Sequence, residues 1–255
     1  MDKNTRKNIV GQNIFLCKYG SLKSLSFSKS IKNFHEPNFN INMTTNFADV
    51  YVKSMHTIEM AREFLKHNLN PVIVTTVTKD FDGTNIENST GMTDPLINVR
   101  TTFHSTLTAN SLYPLKGSEV IYNKMLHVIR DNIMNINDFV TVSLIVASSK
   151  NIPKKQKTLK YTEYLELREI IETVFQTAIS GGNDVLILDD FGCKTTGIPE
   201  NDIIDIFNIM ILKYGYCFKF IVIAINLTDQ TDFKKYALFD KEIIKPQNIG
   251  NEVVQ

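Results

Sequence analysis

Two loops carry the residues whose types and spacing could do chemistry. The first, Lys79–Thr93, is polar, holds Gly83 and Gly91, and runs into the pair Asp94-Pro95. The second, Asp189–Pro199, opens on the adjacent carboxylates Asp189 and Asp190 and continues through Phe191, Gly192, Cys193 and Lys194 to Gly197. Each follows a short apolar run, and a long loop directly after a buried strand is usually functional. A carboxyl such as Asp94 can act as a general acid. Equally, aspartate before proline is the pattern of a helix N-cap with proline at the first helical position, which is a complete structural explanation. No Ser/His/Asp constellation, P-loop or dinucleotide-binding glycine pattern is present. The histidines His35, His56, His67, His104 and His127 are scattered and each reads as structural. Without C-x-x-C or clustered Cys/His spacing, the expectation is no metal and no cofactor.

Bulk properties narrow the class. The chain has 255 residues, 43% hydrophobic and 22% charged, an average globular composition that suits one large α/β domain. Its formal charge is +1, from 28 Lys and Arg against 27 Asp and Glu. That balance gives no general attraction for nucleic acid or an anionic membrane, and the basic residues near the start are dispersed. Three cysteines (Cys17, Cys193, Cys217) without close pairs argue against a disulfide framework and for a reducing compartment. Polar and charged residues interrupt the apolar stretch Ile9–Leu16, so no signal peptide is read there, and no run is long enough to span a bilayer. A cytoplasmic protein is expected. The richness in Asn, Ile and Lys is the bias of an AT-rich genome.

Elements must position those loops. Residues Thr5–Leu16 read as a helix with Ile9, Ile14 and Leu16 inward. Asp49–Lys53 alternates as a strand, Thr57–His67 follows as a helix, and Pro71–Thr76 is a β-branched buried strand. That order is a βαβ unit with parallel pairing. Asp94 caps a helix from Pro95 through Phe103. Two strands are expected at Val120–Tyr122 and Met125–Arg130, and Phe139–Ala147 belongs at the sheet centre. The apolar stripe of Thr162–Ile179 makes it the clearest helix, stopped by Gly181-Gly182. Val185–Leu188 is a buried strand, Asn201–Leu212 a helix and Phe218–Ile225 a third buried strand. The remainder reads as loops with one short helical piece. The whole is a three-layer α/β/α sandwich with a mixed central sheet. It forms a single domain over 1–255, in which residues 1–45 are a helical and strand extension packed on the body. In such a sheet, ligands bind beyond the carboxyl ends of the strands, so any site lies between the two loops.

Four collinear stretches resemble the microbial-type poly(ADP-ribose) glycohydrolases, a branch of the macro-domain superfamily. They are DVYVKSMHTIEMAREFLKHNLNPVIV, LYPLKGSEVIYNKMLHVIRD, VTVSLIVASSKNIP and VLILDDFGCKTTGIP. The resemblance runs from about Arg6 to Ile225. It implies the macro fold, ADP-ribose as ligand and acid catalysis at a glycosidic ribose bond. A glutamate protonates the leaving oxygen there, and a glycine-rich loop lets backbone amides approach the diphosphate. Aligned on the flanking strand and Arg100, the family's three glycines fall on Gly83, Thr84 and Asn85, and its Gln-Glu-Glu on Thr93, Asp94 and Pro95. Proline thus stands where the catalytic glutamate belongs. Two family asparagines, one of which contacts ribose, fall on Thr75 and Thr78. Side chains at Thr84 and Asn85 obstruct close backbone approach.

The second loop keeps Phe191, Gly192, Cys193 and Gly197, whose amides could form an anion-binding concavity. It replaces small residues by Asp189 and Asp190, a glycine by Lys194, and a ribose-packing aromatic by Thr196. A carboxylate ~5 Å from a phosphate costs about 3 kcal/mol at an effective dielectric near 20. Lys194 would offset that only by turning inward; the plainer reading has one aspartate facing solvent and Lys194 paired with a carboxylate. Cys193 matches a structural family cysteine. The resemblance therefore points to a degenerate macro domain that acts as a binding or interaction module, with ADP-ribose, a related nucleotide or an ADP-ribosylated protein as ligand. One alternative is a hydrolase with a rebuilt acid at Asp94 or Glu87. Another is an assembly protein that uses an external face to hold a protein partner.

Overall fold

The computed structural model describes residues 1–22, 30–41, 43, 46–83, 89–106, 112–153 and 155–246. Seven strands form one mixed sheet: β1 (Ser30–Asn33), β2 (Asp49–Lys53), β3 (Pro71–Thr78), β4 (Val120–Arg130), β5 (Ile136–Ser149), β6 (Val185–Leu188) and β7 (Phe220–Ala224). Their order is β1-β4-β5-β3-β6-β7-β2. The block β5-β3-β6-β7-β2 is parallel, while β4 runs antiparallel to both β5 and β1. The parallel strands are rich in β-branched residues because helices cover both faces.

The helices are α1 (Lys3–Tyr19), α2 (Thr57–Lys66), α3 (Pro95–Arg100), α4 (Tyr161–Ser180), α5 (Cys193–Thr196), α6 (Glu200–Tyr214) and α7 (Gln230–Glu242). One core joins Val72, Val74, Ile145, Leu186, Leu188, Ile221 and Ile223 to the stripes of α4, α6 and α7. The other joins Ile73, Val77, Leu144, Val146 and Ile187 to α2 and α3. Alternate residues of each strand thus feed opposite layers, as the two-residue strand period requires. The architecture is the expected α/β/α sandwich.

Several elements differ from the sequence reading; α3, expected to run from Pro95 through Phe103, stops at Arg100, and Phe103 opens a separate 3-10 turn, Phe103–Thr106. The two strands expected in 120–130 are one, β4. The polar break at Asn123 and Lys124 is a bulge inside it, where the Met125 amide donates to Asn123 Oδ1 at 2.9 Å. Helix α1 buries Val10, Asn13 and Cys17, with Leu16 packed against the Cys17 cluster as expected, while Ile9 and Ile14 are only partly covered. Asn13 is wanted inside: its Nδ2 donates to Val99 O and its Oδ1 accepts from Arg130 Nε, both at 2.7 Å. The tail holds a full helix, α7, whose inward stripe Asp232, Lys235 and Phe239 is mostly charged and so carries no apolar signal.

Candidate functional site

The parallel strands bring their carboxyl ends to one edge, and a cleft of about 160 Å³ opens there. His56 and Thr57 enter it after β2, Thr93 and Asp94 after the β3 loop, and Asp189, Asp190, Lys194 and Thr195 after β6. Asn226 follows β7, and Asp232 and Lys235 reach in from α7. Pockets that enclose a drug-sized ligand typically measure about 300–1,000 Å³, so this one is small. Four carboxylates face two ammonium groups and one imidazole among its lining residues.

Asp94 is placed by backbone pairing. After the first loop the chain returns along β3, with Met92 bridging Val77, the Thr78 amide donating to Gly91 O at 2.7 Å and the Thr93 amide to Thr76 O at 3.0 Å. Asp94 then caps α3, accepting from the Leu96 amide at 3.0 Å, with Pro95 at the first helical turn. Its Oδ2 lies 2.9 Å from His56 Nε2. His56 itself caps α2, where its Nδ1 accepts from the Ile58 amide at 3.2 Å, so the proton of the neutral ring sits on Nε2 facing Asp94. Glu59, one turn on, lies 3.6 Å from His56 Nδ1 and takes both terminal nitrogens of the buried Arg100, at 2.5 and 2.9 Å. Burial opposes charge on His56, but Asp94 and Glu59 outweigh it and raise its pKa. For Asp94, burial is outweighed by His56, the Leu96 amide and Arg100, so its pKa falls below the ordinary carboxylate value.

The second loop is held from within. Phe191 (φ +50°), Gly192 (φ +83°) and Gly197 (φ +76°) all adopt left-handed backbone. A side chain at Gly192 would meet Thr196, Ser149 and Thr93, and a Cβ at Gly197 would lie 2.6 Å from the Ile152 carbonyl oxygen. The Phe191 ring is fully buried and meets Phe207 edge-on at 6.3 Å. Thr196 bonds Ser149 Oγ at 2.8 Å and the Gly192 carbonyl at 2.8 Å instead of facing the cleft. Cys193 is buried among apolar side chains, which pushes its thiol pKa well up and removes nucleophilic character.

The anion-binding concavity expected of this loop is already filled. Asp189 Oδ1 accepts from the Phe191 amide at 2.8 Å, Asp190 Oδ1 from the Gly192 amide at 3.2 Å, and the Asp190 carbonyl from the Cys193 amide at 3.1 Å. Neither aspartate points away to solvent; both line the cleft. Burial, then the neighbouring Asp190 carboxylate, keep Asp189 well above the usual carboxylate range, against the pull of the Phe191 amide. Asp190 pairs with Lys235, which also lies 3.3 Å from Asp232. Lys194 does pair with carboxylates, Asp229 at 2.9 Å and Asp232 at 3.0 Å, and donates to Thr228 Oγ1 at 3.0 Å.

Other sequence candidates lie elsewhere. Gly83 is described, in left-handed backbone, but does not line the cleft; Thr84, Asn85 and Glu87 fall outside the described residues. Thr75 is buried in β3 and Thr78 ends it, neither lining the cleft. The sequence reading missed His56, Thr57, Asp232 and Lys235. His56 had a signal, because it immediately precedes a helix start. The α7 pair had a weaker one, the i, i+3 spacing of opposite charges.

No protein-family model matches the sequence, and no curated protein sequence matches it. Solved structures do. The poly(ADP-ribose) glycohydrolase of Thermomonospora curvata superposes with a TM-score of 0.77 at 14% identity, over 94% of this chain and 99% of that one. The same enzyme bound to the inhibitor ADP-HPD gives 0.73 at 14% identity, over 93% and 99%. The Deinococcus radiodurans poly(ADP-ribose) glycohydrolase in complex with ADP-ribose gives 0.63 at 16% identity, over 78% and 86%. The chain therefore has the macro-like fold of the microbial poly(ADP-ribose) glycohydrolases along nearly its whole length.

Proposed function

We propose that this protein is a catalytically degenerate macro domain that works by binding rather than by hydrolysis, in a reducing cytoplasmic setting. One observation carries the reading. At the position the resemblance assigns to the catalytic glutamate stands Pro95, and its neighbour Asp94 is held ionised by His56, the Leu96 amide and Arg100. A carboxylate whose pKa lies below its ordinary value carries no proton at neutral pH to give to a leaving oxygen. The ligand carried over from the resemblance, ADP-ribose or an ADP-ribosylated protein, would reach the cleft at the carboxyl edge of the strands. The test is release of ADP-ribose from poly(ADP-ribose) and from a mono-ADP-ribosylated protein at stoichiometric protein. No release is expected, and release that Asp94→Asn abolishes would overturn the reading.

A second reading has one specific observation in its favour: Asp189 lines the same cleft, and burial and the neighbouring Asp190 push its pKa well above the usual carboxylate range. In a rebuilt hydrolase it would be the acid, and Asp94 the ionised partner, the division of roles that glycoside hydrolysis requires. Release lost in Asp189→Asn as well as in Asp94→Asn would select this reading.

A further inference from the structure

The second loop preserves the backbone of an anion site while denying it to an outside anion. Successive left-handed residues at Phe191 and Gly192 turn their amides into a concavity of the kind that holds phosphate. Those amides are satisfied by Asp189 and Asp190, and the next by the Asp190 carbonyl. The carboxylates are themselves pinned. Lys235, buried in the cleft wall, holds Asp190, and Asp232 steadies Lys235. Lys194, the remaining ammonium in the wall, is spent on Asp229, Asp232 and Thr228.

We propose that Asp189 and Asp190 set the ligand class of the cleft: their carboxyl oxygens already occupy the loop amides, so the cleft rejects phosphate-bearing ligands at the loop. The exclusion works by occupancy more than by charge, because a neutral carboxyl or amide oxygen still accepts the amide proton. This inference rests on reading the cleft as the ligand site, and it leaves ADP-ribose only a pose whose diphosphate lies away from this loop.

The experiment titrates inorganic pyrophosphate, then ADP-ribose, into the purified full-length chain by calorimetry. Three proteins are compared: wild type, Asp189→Ala/Asp190→Ala, and Asp189→Asn/Asp190→Asn, each shown folded by circular dichroism. In the alanine variant Lys235 keeps Asp232 as a partner. The expected result is no saturable pyrophosphate binding to wild type or to the asparagine variant, and binding at least about tenfold tighter to the alanine variant. Pyrophosphate binding equally tight to wild type and alanine variant overturns the proposal, as does a folded alanine variant that stays inert. An asparagine variant that binds like the alanine one shows that charge, not occupancy, excludes the ligand, and overturns it too. Should the double alanine variant not fold, Asp189→Ala alone frees the Phe191 amide, leaves the Asp190–Lys235 pair intact and carries the same expectation. No turnover is involved, so failure here is distinct from detecting hydrolysis.

Discussion

Replacing Gly197 by alanine tests whether the second loop is fixed by its own backbone. Gly197 closes α5 at φ +76°, where an L-residue costs roughly 1–2 kcal/mol. The new Cβ would also sit 2.6 Å from the Ile152 carbonyl oxygen, a backbone atom that cannot rotate away. Moving it disturbs the hydrogen bond from the Ile152 amide to Thr196 O, 2.7 Å long, which joins the β5 loop to the Asp189–Pro199 loop. Such a bond contributes about 1 kcal/mol net. The sum, about 2–3 kcal/mol, should lower Tm by about 4–12 °C in a domain of this size. Gly11→Ala is the matched control: it lies inside α1 with nothing within 4 Å of its Cβ, and should stabilise by about 0.5–1 kcal/mol. Differential scanning calorimetry of the two variants reads both. A Gly197→Ala melt within a degree of wild type would refute the reasoning, whatever Gly11→Ala does.

Other expectations are as direct. Burial lowers the pKa of His104 from 6.5 to about 4, so the unfolded chain binds the proton more strongly over that interval. Stability is therefore complete above pH 6.5 and falls by up to about 3 kcal/mol as pH drops to 4; denaturant melts of His104→Phe should lack this part of the acid slope. Arg100→Met strands the Glu59 carboxylate beside His56 and should cost about 2–4 kcal/mol by urea titration, less than a fully buried pair because Glu59 reaches solvent. Phe175→Ala removes a fully buried ring between Tyr214 and Phe218 and should cost about 3–5 kcal/mol in the same assay. At pH 8 a thiol reagent should modify half-buried Cys217 before the fully buried Cys17 and Cys193, although burial raises the pKa of all three; rapid native labelling of Cys193 would contradict its placement.

The sheet was legible because β-branched runs such as Pro71–Thr78 and Val185–Leu188 announce strands buried on both faces. The stripe of α4 announced a helix packed on one side. What stayed hidden was polar. Asn13 faces inward for the sake of Val99 and Arg130, and no hydrophobic pattern encodes that choice. Helix α7 turns Asp232 and Lys235 to the protein, so its inward face looks like an outward one. At the site, Asp94 as a cap and Lys194 as a paired lysine were both readable from neighbouring residues. The pairing of Asp94 with His56 was not, because it joins residues 38 positions apart through the sheet. The capping of the loop amides by Asp189 and Asp190 spans only two residues each, yet it needs the left-handed turn at Phe191 that sequence alone does not declare.

The buried ring of Phe191 has an evolutionary consequence. Its side chain is a core residue and its amide holds the carboxyl of Asp189, a residue that lines the cleft, so one residue answers to two selections. Mutations that loosen the loop also unpack Phe207 and the helix beneath it, and are purged for instability even when no ligand is at stake. Side chains that only dressed the cleft enjoy no such protection. A lineage released from its chemistry would therefore shed side chains of the cleft early and keep its loop backbone long afterwards.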